Sequence, residues 1–150
     1  MKLEAQWITG FVDAKGYFYV KINNDYRITK NYQILPEFCI VQHKKDTQVL
    51  HALKRYFNCG IIRKSYDNQV TYLVKNIEHL LQRIIPFFEL HHLKTKKRID
   101  FQKFRRIMLK IKQGIHLTNE GIEEIQSIVS QMSQLKQTKI ESNAIGNNSD

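Results

Sequence analysis

An α+β domain, its elements ordered αββαββα with two further helices behind them, is the architecture this chain predicts. Two observations carry that expectation. Two pairs of segments alternate apolar and polar side chains with the period of half-buried strands, and each pair is followed by apolar residues at helical spacing. One strand face is apolar throughout and the other polar and basic, so a four-stranded antiparallel sheet should pack helices on one side and expose the other.

The elements follow in order. From Leu3 to Ala14, Leu3, Trp7, Ile8 and Phe11 have helical spacing, while Gln6, Thr9, Gly10 and Asp13 form a second stripe of small or polar groups that is not a core face. Residues 17–23 alternate, with Phe18, Val20 and Ile22 opposite Tyr17, Tyr19, Lys21 and Asn23. A second strand runs from Tyr32 to Gln42, with Ile34, Phe38 and Ile40 on one side, and Pro36 marks it as an edge or bulged strand. Asp46 is placed to cap a helix carrying Val49, Leu50, Leu53, Tyr56 and Phe57, which ends near Asn58 and Gly60. Strands Ile61–Tyr66 and Gln69–Lys75 are joined at Asp67 and Asn68, a good hairpin pair. Ile77, Leu80, Leu81, Ile84 and Ile85 give a helix stopped by Pro86. Thr95 to Lys112 is a very basic helix buried along Phe101, Phe104, Met108 and Ile111, and Thr118 to Met132 turns Ile122, Ile125, Ile128, Val129 and Met132 inward. Residues 1–132 therefore read as one domain, and 133–150 as a polar tail without periodicity, expected to be disordered.

Composition narrows the function classes. In 150 residues, 24 Lys and Arg stand against 14 acids, a formal charge of +10, and the basic residues are interleaved with Tyr, Asn and Gln. That balance favours a polyanionic partner, most simply nucleic acid. No run approaches the roughly 20 apolar residues of a membrane span, and the N-terminus lacks the apolar block of a secretory signal, so the chain reads as soluble and unprocessed. Two cysteines, Cys39 and Cys59, are too few for a zinc site without paired histidines at short spacing, and a reducing compartment is the default. The adjacent His91 and His92 allow metal ligation or general-base work; solvated loop or phosphate contact is the plainer reading. A polar, basic sheet face suits duplex DNA, whose major groove admits a β-ribbon.

Specific motifs sharpen this. Trp7-Ile-Thr-Gly-Phe-Val-Asp-Ala-Lys-Gly16, running into Tyr17-Phe-Tyr-Val-Lys-Ile22, resembles the signature of LAGLIDADG homing endonucleases, in which a helix ends in an acid and a glycine and leads into the first DNA-contacting strand. Leu35-Pro-Glu-Phe-Cys-Ile-Val-Gln42 is similar to the second strand ending in a catalytic-site glutamine, Cys59-Gly60 precedes the third strand, and Leu93-Lys-Thr-Lys-Lys97 resembles the basic segment opening a later helix. The resemblance covers about residues 5–112 and implies the homing-endonuclease fold, with its sheet as a DNA-binding saddle. It implies double-stranded DNA as substrate, Mg²⁺ as cofactor and an intron-encoded origin, by analogy in a chloroplast or mitochondrion. One motif without an internal repeat implies a homodimer, packed through Gln6, Thr9, Gly10 and Asp13, that reads a long pseudo-palindromic site.

The resemblance also assigns residues. The family's metal-binding acid falls at Lys15, whose ammonium has three donors and no acceptor and cannot replace a carboxylate on Mg²⁺. Metal binding would retain only the Ala14 backbone carbonyl unless Lys15 reverted to an acid. Asp13 matches an acid that is mainly structural in the family. Gln42 matches the glutamine that positions water or phosphate, and Lys94 the basic residue near the scissile phosphate, with Lys96 its nearest competitor. Asp46 stands where the dimeric group carries arginine, leaving Lys44 or Lys45 to supply that charge. Strand parity nominates Tyr19, Lys21, Asn23, Arg27, Gln33, Glu37, Arg63, Ser65, Gln69 and Thr71 as base or backbone readers. Arg63 is the best placed for a bidentate guanine contact. The expectation is a site-specific DNA endonuclease whose cleavage is impaired, with an RNA-binding intron maturase or a non-cleaving DNA-binding regulator as alternatives.

Overall fold

The computed structural model describes residues 1–24 and 32–133. Its four-stranded antiparallel sheet runs β1-β2-β4-β3, from β1 Gly16–Asn24, β2 Tyr32–His43, β3 Ile61–Lys64 and β4 Gln69–Val74. Helix α1 (Ala5–Lys15) leads directly into β1, and α2 (Thr47–Phe57) connects β2 to β3. After β4 come α3 (Ile77–His79), a π-helical turn (Leu80–Ile84) and α4 (Ile85–Leu90) as one helical run, then α5 (Lys97–Lys112) and α6 (Asn119–Ser130). The helices share one core with the sheet. Phe18 lies within 5.2–5.6 Å, centroid to centroid, of Phe38, Phe88, Phe101 and Phe104, so β1, β2, α4 and α5 meet at one aromatic cluster. No helix among the described residues is long and apolar enough to cross a membrane.

Several sequence expectations need correcting. Strand β2 is central, not an edge: it pairs with β1 along Tyr32–Ile40 and with β4 along Phe38–His43. Pro36 is tolerated because the β4 pairing stops at Phe38, leaving one side of β2 free at the proline. Pro86 does not stop a helix either. The π-helical turn immediately before it widens the backbone where the ring would meet the preceding turn, and the helix runs on to Leu90. The β3–β4 hairpin has three loop residues, Tyr66, Asp67 and Asn68, because the Ser65 N–H donates to Gln69 O at 2.9 Å and Asn68 takes φ +58°.

Asp46 occupies the N-cap of α2 without a side-chain cap bond; a short 3₁₀ turn (Lys44–Asp46) enters the helix, and Thr47 Oγ1 donates to Lys44 O at 2.6 Å. At the other end Asn58 closes α2 at φ +54°. Helix α6 starts as its sequence suggests, with Thr118 Oγ1 accepting from Gly121 N at 2.9 Å. Gly121 is required there, since a Cβ would come within 1.8 Å of the Ile115 carbonyl oxygen. The described residues extend to Ser133, whose N–H and hydroxyl donate to the buried Asp100 carboxylate at 3.2 and 2.7 Å. The rest of the expected tail, 134–150, lies outside the described residues.

Candidate nucleic-acid interface

Two parts of the molecule meet at the C-terminal end of α1: the exposed sheet face and a basic segment before α5. Alternation along the strands builds the first. Phe18, Val20, Phe38, Ile40, Val70 and Tyr72 turn toward the helices and are buried, so the odd-numbered residues of all four strands share the outer face. Register aligns Asn23 with Gln33, Lys21 with Leu35, Tyr19 with Glu37, and Val41 with Thr71 with Arg63. Lys21 and Gln33 are exposed, and Asn23, Arg63, Ser65, Gln69 and Thr71 half-buried. Arg27 falls outside the described residues.

Three of the nominated readers are less available than parity suggests. Tyr19 is only 3% exposed, because the outer face has a small apolar cluster of its own, Tyr19 with Cys39, Leu73 and Tyr17. Glu37 faces Lys75 Nζ at 3.6 Å, with 14% of its side chain exposed. The Ser65 hydroxyl donates to Gln69 O at 3.1 Å and is spent on the hairpin.

The second part is organised by Asp13. Its carboxylate accepts from the Lys94 N–H at 3.0 and 3.1 Å, from the Thr95 N–H at 3.1 Å and from the Thr95 hydroxyl at 2.8 Å. One acid at the end of α1 therefore pins a backbone segment some 80 residues away and fixes where Lys94 emerges. Thr95 Oγ1 in turn accepts from Lys97 N at 3.2 Å, linking the clamp to the first turn of α5.

Lys97 is a residue at the candidate site that sequence reasoning missed. It is 2% exposed, its ammonium donates to the Gly16 carbonyl, and it stands 4.6 Å from the centroid of the Tyr17 ring. A buried cation thus sits behind the junction of α1 and β1. The signal was present: Lys97 lies four residues before Phe101 and seven before Phe104, on the core stripe of α5, where an apolar residue was due.

Lys15 is exposed in the last turn of α1, where a cation is favourable with the helix dipole. Ala14 is also exposed. Gln42 and Lys94 lie on opposite flanks of α1. Gln42 lines a groove with Trp7, Phe11 and Lys45; Lys94 lines another, of about 510 Å³, with Gln6, Thr9, Gly10, Asp13, His91 and His92. The expected apolar stripe of α1 is displaced. Ile8, Thr9 and Val12 are buried, whereas Trp7 is 46% exposed and stacks on Phe11 at 4.8 Å. Thr9 tolerates burial because its hydroxyl donates to Ala5 O at 2.9 Å. Gly10 is different: a Cβ there would meet nothing within 4 Å.

The donor set does not suit Mg²⁺. A hard dication needs several oxygen ligands. Here the family's acid position presents an ammonium, the neighbouring carboxylate is engaged by three donor groups, and no group of three His, Cys, Asp or Glu among the described residues could hold a metal. The cysteines offer no alternative. Both are free and buried; burial, with Glu37 adding to it and Lys97 opposing it, pushes the Cys39 thiol up to about 12, and burial also raises Cys59. Tyr72, wholly buried with its hydroxyl donating to Cys59 O at 2.8 Å, is raised as well, chiefly by burial.

Comparison with known proteins places this arrangement among the homing endonucleases. The crystal structure of the homing endonuclease I-TnaI superimposes with a TM-score of 0.86 at 42% identity over 96% of this chain and 97% of that one. I-SmaMI, in a structure bound to uncleaved DNA target in the presence of calcium ions, matches with a TM-score of 0.83 at 30% identity over 86% of this chain and 44% of its own. A protein of Neurospora crassa named "Probable intron-encoded endonuclease 2" is 32% identical over 120 residues, 79% of this chain and 25% of its own length. The chain thus spans a quarter to about a third of the curated relatives it matches. The LAGLIDADG endonuclease family profile matches residues 8–108, and the chain belongs to that family.

Proposed function

We propose that this chain binds a long pseudo-palindromic duplex DNA site as a homodimer and that Lys15 disables Mg²⁺-dependent cleavage. One observation carries the second half: the last turn of α1 ends in an exposed ammonium where the family's chemistry calls for a carboxylate, and the one acid beside it is engaged by Lys94 and Thr95. Gln42 and Lys94 are assigned to water or phosphate positioning and to the scissile phosphate, and Lys97 to holding the Gly16 carbonyl at the start of β1. None of these supplies the missing carboxylate.

Gly10 supports the dimer. A mid-helix glycine costs roughly 0.5–1 kcal/mol against alanine, and nothing among the described residues uses the space it leaves. A second α1 approaching along Gln6, Gly10 and Asp13 would use it. An intron of an organelle genome is the proposed source, supported by the intron-encoded name of the Neurospora relative.

The test is repair. On a duplex site selected from a random library, Lys15→Glu and Lys15→Asp should restore Mg²⁺-dependent double-strand cutting, while the unaltered chain binds the site and leaves it whole. If the unaltered chain cuts as fast as the repaired variants, Lys15 does not disable it. Enrichment of RNA in place of duplex DNA in a parallel selection would favour the maturase reading.

A further inference from the structure

The outer sheet face is not uniformly polar. Register sets Tyr17, Cys39, Leu73 and Ile61 side by side across all four strands, a belt of one aromatic and three apolar side chains. Cys39 is 1% and Leu73 6% exposed, so the belt is packed within itself, and its one largely open member is Ile61, 47% exposed on edge strand β3. Polar residues flank it on either side: Thr71 and Arg63 toward the hairpin, and Lys21 and Asn23 toward the far end, beyond the largely covered row of Tyr19 and Glu37.

Such a belt has a cost if it only meets water, since it keeps Ile61 exposed on a strand where its neighbour Ile62 packs into the core. Its place in a recognition face gives it a use. Residues on one strand face recur every two positions, about 6.7 Å, which is close to two base-pair steps of about 3.4 Å. The belt and the covered row of Tyr19 and Glu37 beside it together lie over about four base pairs between the open polar zones, and the belt itself over about two of them. Ile61, the belt's most open member, offers the pairs it faces neither donor nor acceptor, and the base feature complementary to an aliphatic group in the major groove is the 5-methyl of thymine.

Resting on the DNA-binding reading above, we propose that Ile61, backed by Leu73, is a specificity-determining contact that reads a pyrimidine 5-methyl group. Each half-site is then recognised in three parts, with hydrogen bonds to the inner and outer base pairs and a methyl contact between them. Ile61 discriminates by the presence of a methyl rather than by the pattern of donors and acceptors.

Deoxyuridine tests this directly, because it removes the methyl and leaves every hydrogen-bonding edge intact. In the selected duplex, thymines are replaced by deoxyuridine one symmetric pair at a time and affinity is measured. The expected result is a loss of about fourfold per half-site, the effect of one buried methyl group, at one position between the two hydrogen-bonding zones. In Ile61→Ala the thymine and deoxyuridine duplexes should bind alike, and 5-methylcytosine at that position should bind the unaltered chain better than cytosine. If the duplex is bound and every deoxyuridine substitution is neutral, the methyl contact is wrong and DNA recognition stands. If methyl sensitivity persists in Ile61→Ala, another residue makes the contact. If no duplex is enriched at all, the reading on which the proposal rests falls with it.

Discussion

The two faces of the sheet are made by the same strands under the same alternation, and they solve opposite problems. On the helix side, Phe18, Phe38, Ile40 and Tyr72 are at most 5% exposed, and the polar atom among them, the Tyr72 hydroxyl, is satisfied by the Cys59 carbonyl. On the outer side, polar groups lie half-open, with an apolar belt across them. The difference teaches where information sits: side-chain volume is constrained on the inner face, and donor and acceptor identity on the outer one. A substitution on the inner face should therefore be read out as stability, and one on the outer face as selectivity.

Phe38→Ala breaks the comparison from the inner side and has the largest expected effect. Removing a fully buried ring that meets Phe18, Phe57, Tyr72 and Phe88 should lower stability by about 3–5 kcal/mol, measured by urea denaturation. A loss under about 1 kcal/mol would mean the aromatic cluster repacks freely. From the outer side, Arg63→Ala should leave the denaturation midpoint nearly unchanged and weaken binding by about 1–3 kcal/mol at one symmetric base pair. A uniform loss across all sequences would make Arg63 a phosphate contact instead. The smallest effect concerns Cys39, which lies on the outer face yet is buried. Its thiol is raised to about 12, so the thiolate is scarce at pH 8, and alkylation of the native protein there should be far slower than in denaturant. Rapid native modification would show that the belt opens.

The comparison also explains which features were legible in the sequence. Strand parity and the helix order could be read because each depends on residues close in sequence. Pairing partners could not: Pro36 suggests an edge strand, and only the length of β4 shows that β2 is central and merely unpaired on one side there. Pro86 misled for a different reason: a proline inside a helical pattern reads as a stop, and the π-helical turn at Leu80–Ile84 that lets the helix continue has no apolar spacing of its own to announce it. Parity told which way Tyr19 points and not how far Tyr17, Cys39 and Leu73 would cover it. At the candidate site, Lys15 stood out as a departure from a motif. Lys97 hid within a run of basic residues, and its burial becomes visible only once Gly16 is brought to it.

The clamp at Asp13 has a consequence for assembly. Because one carboxylate holds the backbone of Lys94 and Thr95, and Thr95 holds the first turn of α5, the end of α1 and the nearby cations form a unit before any second molecule arrives. A partner docking on the open side of Gly10 would meet an array already fixed by folding, with little conformational entropy left to lose at that point. Association would then be limited by how two rigid surfaces find each other, and altering the chemistry at position 15 becomes a local edit rather than a redesign of the interface.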